Sequence, residues 1–158
     1  MLHAVIVAEA SAQALAETLA DLVPAAVEGV VRRVTVAAPL EAPEALFEVA
    51  DDAGAAFRRL AGGFGARAAG VADRGDWLMI AAAGVRLPYG WHAAVGDHVR
   101  RHPDQAAVVE GDKAGFWGGR PVLAVVAPRA VYERSGGLGG ADADLRRLSR
   151  TLGPVRRL

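Results

Sequence analysis

Apolar positions along the chain alternate between two patterns: short continuous runs, and residues three or four apart. Residues 2–8 form an apolar run of strand length. Ser11 stands where it can cap a helix with Leu15, Leu19 and Leu22 on one face, and Pro24 and Gly29 bracket its end. A second strand is expected over 30–37, and a helix from Pro43 through Asp52 that Gly54 closes. A short third strand follows at 55–60, then a glycine-opened, Ala-rich helix over 62–74. The run 76–82 is strongly apolar and reads as a central strand, and 88–102 as a helix with Trp91, Val95 and Val99 on one face. Strands are expected at 105–110 and 122–127 with a Gly-rich loop between them, and a short helix at 128–134. An amphipathic helix over 142–152 carries Leu145, Leu148 and Leu152, and 154–158 reads as an edge strand.

Strands alternating with helices imply parallel βαβ units with helices on both sheet faces. Ligands of such sheets bind beyond the carboxyl ends of the strands, so the residues after Val7, Val36 and Ile80 carry the most functional interest. The chain has 158 residues, enough for one domain with its own core, and the whole of 1–158 is read as a single domain. The absence of Cys excludes disulfides, thiolate metal sites and a cysteine nucleophile. A formal net charge of zero gives no electrostatic case for nucleic acid or an anionic membrane. Nothing reaches the roughly 18 apolar residues of a membrane span. The N-terminus lacks the basic region of a signal peptide, so the cytoplasm is the expected location.

Several candidate motifs carry little. Gly63-Phe64-Gly65-Ala66-Arg67-Ala68 fits G-x-G-x-x-A, but it follows the third strand, and the next strand ends in alanines with no acid for a ribose hydroxyl. A tight turn before a helix accounts for it. His98 and His102 lie four apart without an evident third ligand, and Asp97, Arg100, Arg101 and Asp104 describe a solvated helix end. There is neither a G-x-S-x-G elbow nor a phosphate-binding G-x-x-x-x-G-K-[ST] loop. Asp142 and Asp144 follow the glycines at 136, 137, 139 and 140. They can cap the last helix, or one can serve as a general base beside a ligand cleft.

Two longer segments resemble family 2 glycosyltransferases of the GT-A fold. Gly75-Asp76-Trp77-Leu78-Met79-Ile80, followed by Arg86-Leu87-Pro88 and Gly90-Trp91, is similar to that family's G-D-W-L-L-F-L-D-A-D-x-R-L-x-P-G-W. Gly136-Gly137-Leu138, followed by Ala141-Asp142-Ala143-Asp144-Leu145 and Arg146-Arg147-Leu148, is similar to its G-G-F … E-D-x-D-L-x-x-R-L. The resemblance runs from about Ala4 to Leu158. It implies a GT-A-like three-layer α/β sandwich with a mostly parallel central sheet. It also implies transfer of a sugar from a nucleotide-diphospho-sugar to an acceptor hydroxyl, with Asp142 as base. Gly136 and Gly137 would shape the acceptor turn, and Arg86 and Asp144 would touch substrate.

The departures are equally specific. The family's metal-binding D-x-D falls on Ala82 and Gly84, so a divalent cation, Mn or Mg, is in doubt. The first-strand segment reads Val7-Ala8-Glu9-Ala10-Ser11, and the acids expected after the second strand fall within residues 37–43. Glu9 and Glu41 are nearby acids at the wrong places. A metal–diphosphate contact of several kcal/mol corresponds to about a thousandfold or more in rate. Arg67, Arg86 or Lys113 could neutralise the diphosphate instead. The sequence therefore leaves two readings: a transferase with a degenerate or metal-independent donor site, or an inactive GT-A-fold protein acting as a binding partner. A homodimer or a protein partner is compatible with either.

Overall fold

A computed structural model describes residues 2–72, 75–112, 119–136 and 144–158. Its elements are β1 (Leu2–Val7), α1 (Ala12–Val27), β2 (Val31–Ala38), α2 (Glu44–Asp52), β3 (Ala56–Arg59), α3 (Phe64–Ala69) and β4 (Trp77–Ala82). They continue with α4 (Trp91–Arg101), β5 (Ala107–Glu110), β6 (Val122–Pro128), α5 (Arg129–Arg134), α6 (Leu145–Thr151) and β7 (Arg156–Arg157). The strands form one sheet in the order β3-β2-β1-β4-β6-β5-β7. β3, β2, β1 and β4 run parallel, β6 is antiparallel to both its neighbours, and β7 is parallel to β5. The sheet is mostly parallel as expected, with β4 at its centre.

Successive side chains of each strand point to opposite faces. On one face Ala4, Ile6, Met79 and Val126 meet Leu15 and Leu19 of α1, Leu46 of α2, and Trp91 and Val95 of α4. On the other, Val5, Val7, Ile80, Val108 and Val125 meet Ala68 of α3, Tyr132 of α5, and Leu145 and Leu148 of α6. Helices thus cover both faces and the sandwich has three layers. This is why 2–8 is continuously apolar: every residue of β1 is buried.

Two expectations are corrected, and one holds: Pro24 and Gly29 bracket the end of α1. Ser11 caps the helix, its Oγ accepting from Ala14 N at 3.1 Å, and the helix runs through Pro24 to Val27. Proline lacks only its own N–H, while its carbonyl still accepts from Glu28 N at 3.0 Å. The Ala-rich helix is short, six residues stopped at Gly70. His98 is not on a solvated surface. It is 2 % exposed, packs edge-on to Trp77 and stacks on His102 with 5.2 Å between ring centroids.

α1 also grips the segment that follows β4. Thr18, fully buried, accepts from Gly84 N at 2.8 Å and directs its hydroxyl at the carbonyls of Ala14 (3.1 Å) and Val85 (3.2 Å). One turn on, Asp21 accepts from Leu87 N at 2.9 Å and takes both Nε and Nη2 of Arg86 at 3.1 Å. Trp91 Nε1 donates to the Asp21 carbonyl at 3.1 Å. Among the described residues no helix is long and apolar enough to cross a membrane.

Two predictions follow from these contacts. Thr18→Val keeps the shape but removes one of the two acceptors of Gly84 N, which still reaches Ala14 O at 3.1 Å, and the hydroxyl donor to the Val85 carbonyl. It should cost about 1–3 kcal/mol of unfolding free energy in a denaturant titration. His98 should make stability pH-dependent. Its Nε2 donates to the Gln105 carbonyl at 2.7 Å, so the neutral ring leaves Nδ1 bare and buried without a partner. Burial holds its pKa below the ordinary 6.5, with His102 and Arg156 adding repulsion, against the raising effect of the Gln105 bond. The unfolded chain therefore takes up this proton at higher pH than the folded one. Stability is full above about 6.5 and declines as pH falls from there to the folded value. Comparing denaturant midpoints across that range, His98→Gln should show the shallower decline.

Candidate functional site

The ends of the central strands finish flush. Val7 stands level with Ala37 and with Ala82, Ala8 N donates to Ala37 O, and Ala83 N donates to Val7 O, both at 2.9 Å. This edge presents Glu9 after β1, the turn 39–42 after β2, and Ala82-Ala83-Gly84 after β4. It is the edge at which a parallel sheet binds ligands.

The β4 end cannot offer side-chain oxygens at 82, 83 or 84. Gly84 adds a conformational reason. Its φ is +94°, a backbone setting that side-chain-bearing residues avoid, while a Cβ there would make only ordinary contact with Ala14 at 3.4 Å. The obstacle to a carboxylate at 84 is the turn itself, which Thr18 holds. Glu9 is committed to Arg67, and among the described residues no three His, Asp or Glu side chains gather where an ion could sit. The described strand ends do not fit the divalent cation that the resemblance implies.

What the edge does hold is a buried cation. Arg67 on α3 is 4 % exposed. Its Nη2 pairs with the exposed carboxylate of Glu9, its Nη1 donates to the Gly62 carbonyl at 3.3 Å, and its Nε has no partner among the described residues. The sequence offered Arg67 only as one of three basic residues. A 58-residue separation hid its pairing with Glu9, and one sign was visible: a charged residue beside Ala68 on the inward side of a short Ala-rich helix. After β2, Arg59 bonds Glu44 at 2.9 Å and the Ala42 carbonyl at 3.4 Å, bracing the turn where nucleotide-contacting acids were expected.

Of the residues singled out from sequence, Arg86 and Asp144 are described and stand on opposite faces of the sheet. Arg86 is held by Asp21 on the α1 face of the sheet. Asp144 lies on the opposite face, where it caps α6 by accepting from Arg147 N at 2.7 Å. Gly136, with φ +79°, ends the turn after α5. Asp142, Gly137 and Lys113 lie outside the described residues.

No family model matches the chain, and no curated protein matches it by sequence. Solved structures do. Glucosyl-3-phosphoglycerate synthase from Mycobacterium tuberculosis, in complex with uridine diphosphate, superposes with a TM-score of 0.72 at 14 % identity, over 99 % of this chain and 69 % of that one. Mannosyl-3-phosphoglycerate synthase from Rubrobacter xylanophilus gives 0.70 at 14 %, over 99 % and 64 %. The chain has the GT-A fold. A 4-diphosphocytidyl-2C-methyl-D-erythritol synthase from Anaerococcus prevotii also matches, with a TM-score of 0.65 at 10 % identity, over 99 % of this chain and 88 % of that one. The chain thus spans about two thirds of the first two synthases and most of the third. Identities this low establish the fold alone and leave the chemistry to the residues.

The Glu9–Arg67 pair can be tested by stability alone. Glu9→Gln leaves the buried guanidinium without its counter-charge and should cost about 1–3 kcal/mol. Arg67→Met removes the buried charge while keeping the stem, and should cost less than Glu9→Gln in the same urea titration. The reverse order would mean that solvent, not Glu9, compensates Arg67.

Proposed function

We propose that this chain is a glycosyltransferase-like GT-A domain that binds a nucleotide-diphospho-sugar across the ends of β1, β2 and β4 without a resident divalent ion. The observation that carries this reading is Arg67: a guanidinium buried at the strand ends, with Nε unused, beside a β4 end that lacks acids. A departing diphosphate needs positive charge beside it, and a fixed guanidinium fork supplies that at no reorganisation cost. Glu9, on the exposed side of the pair, is the partner that an arriving diphosphate would displace.

In the transfer step the acceptor hydroxyl oxygen bonds to the anomeric carbon while the bond from that carbon to the diphosphate oxygen breaks. The hydroxyl proton passes to the carboxylate of Asp142, the role the sequence resemblance assigns, and the nucleoside diphosphate leaves with the electron pair. Gly136 and Gly137 belong to the acceptor turn in the same resemblance. We take residues 1–158 as one domain working in the cytoplasm. A second reading is favoured by Gly84: a strand end whose turn resists a carboxylate suits a GT-A fold kept for binding alone.

Calorimetric titration with uridine, guanosine and thymidine diphosphate sugars separates the readings. Binding should occur with at least one, should survive EDTA, and should weaken about tenfold or more in Arg67→Met, as loss of a charge-assisted bond of about 1.5–3 kcal/mol implies. Binding that appears only with manganese would overturn the metal-free site, and silence with every sugar nucleotide would overturn the donor reading. Transfer that Asp142→Asn abolishes with binding intact would exclude the binding-only alternative.

A further inference from the structure

A second charged feature lies apart from the strand-end site, on the sheet face covered by α6. A cavity of about 400 Å³ opens between α6, the start of β6 and the β5–β7 edge. Arg120, Arg146, Arg150 and Arg157 line it over a floor of Val108, Val122 and Val155. Among the described residues one carboxylate shares the space: Glu110, whose side chain is 7 % exposed and stands 3.5 Å from Arg157 Nε. Arg120, Arg146 and Arg150 make no ion pair among the described residues. Four guanidinium groups facing one carboxylate leave a local surplus of three positive charges in a chain whose formal net charge is zero.

That arrangement is unfavourable when empty. Arg146 and Arg150 stand four apart on α6, where like charges repel. Small residues at the rim, Gly119 and Gly153, leave the opening clear, with nothing within 4 Å of either missing Cβ. The size is that of a small-molecule site. Guanidinium forks pair with two oxygens of a phosphate group at once. We propose that this groove is a binding site for a small phosphate-bearing ligand of two or more negative charges, separate from the nucleotide site at the strand ends. It stands whether or not the glycosyl-transfer reading holds. Glu110 screens Arg157 when the groove is empty and sets a minimum charge that the ligand must overcome.

Inorganic pyrophosphate is the probe, titrated calorimetrically into the full chain at physiological ionic strength, with amide NMR shifts to locate it. Saturable binding is expected, with the largest shifts at Val108, Ser149 and Val155. Arg146→Gln with Arg150→Gln should weaken it at least tenfold, Arg150→Lys should retain most of it, and Glu110→Gln should tighten it. These arginines are exposed, so melting temperatures should barely move. Binding that disappears at physiological salt, that the double variant leaves unchanged, or whose shifts fall at Glu9 and Arg67 would overturn the proposal. Uridine diphosphate serves as the second arm. If the Arg146→Gln, Arg150→Gln double variant weakens uridine diphosphate and pyrophosphate alike, the two share one site and the separate groove is refuted. Pyrophosphate binding in a chain that ignores every sugar nucleotide would uphold the groove while the donor reading fails.

Discussion

The contact on which the strand-end region depends is the hydroxyl of Thr18. A buried hydroxyl must be satisfied, and this one joins the first turn and a half of α1 to both residues that follow Ala83. Asp21 repeats the grip one turn later on Leu87, Arg86 and Trp91. The segment between β4 and α4 is therefore docked on α1 rather than projecting over the sheet edge. The positive φ of Gly84 follows from that docking, because the chain must turn sharply back to present its N–H to Thr18.

Charge at the strand ends is organised by the same economy of partners. A metal site needs several convergent oxygens, and two acids of the described edge are spent elsewhere: Glu9 on Arg67 and Glu44 on Arg59. Arg67 is the cation that remains near the flush ends of β1 and β2, and burial makes its field stronger than that of an exposed lysine. Glu9 lies outside it, at 70 % exposure, so the pair can be opened from the solvent side without unfolding α3.

Most of the architecture was legible from hydrophobic period alone. The apolar runs of β1 and β4, the leucine stripe of α1 and the capping of that helix by Ser11 all form as their patterns require. The failures share one cause, which is that tertiary partners override local signals. The Ala-rich run from Gly62 looks like a long helix, yet it stops at Gly70, where a Cβ would meet Leu60 at 2.9 Å. His98 sits among charged residues in sequence, but helical spacing turns it inward against Trp77. The site was less legible than the fold. The missing carboxylates could be read directly, whereas the Glu9–Arg67 pair and the convergence of arginines from β6, α6 and β7 depend on distant segments meeting.

A carboxylate introduced at the end of β4 would meet a different constraint at each position. A carboxylate at 82 alone would stand at the end of a buried central strand, facing no second ligand. A carboxylate at 84 must adopt a φ near +94° that costs on the order of 1 kcal/mol or more, or must pull the turn away from Thr18 and expose a satisfied buried hydroxyl. Thr18 thus holds position 84 in a turn that disfavours a carboxylate, while the guanidinium of Arg67 stands buried at the same edge with no demand on that turn.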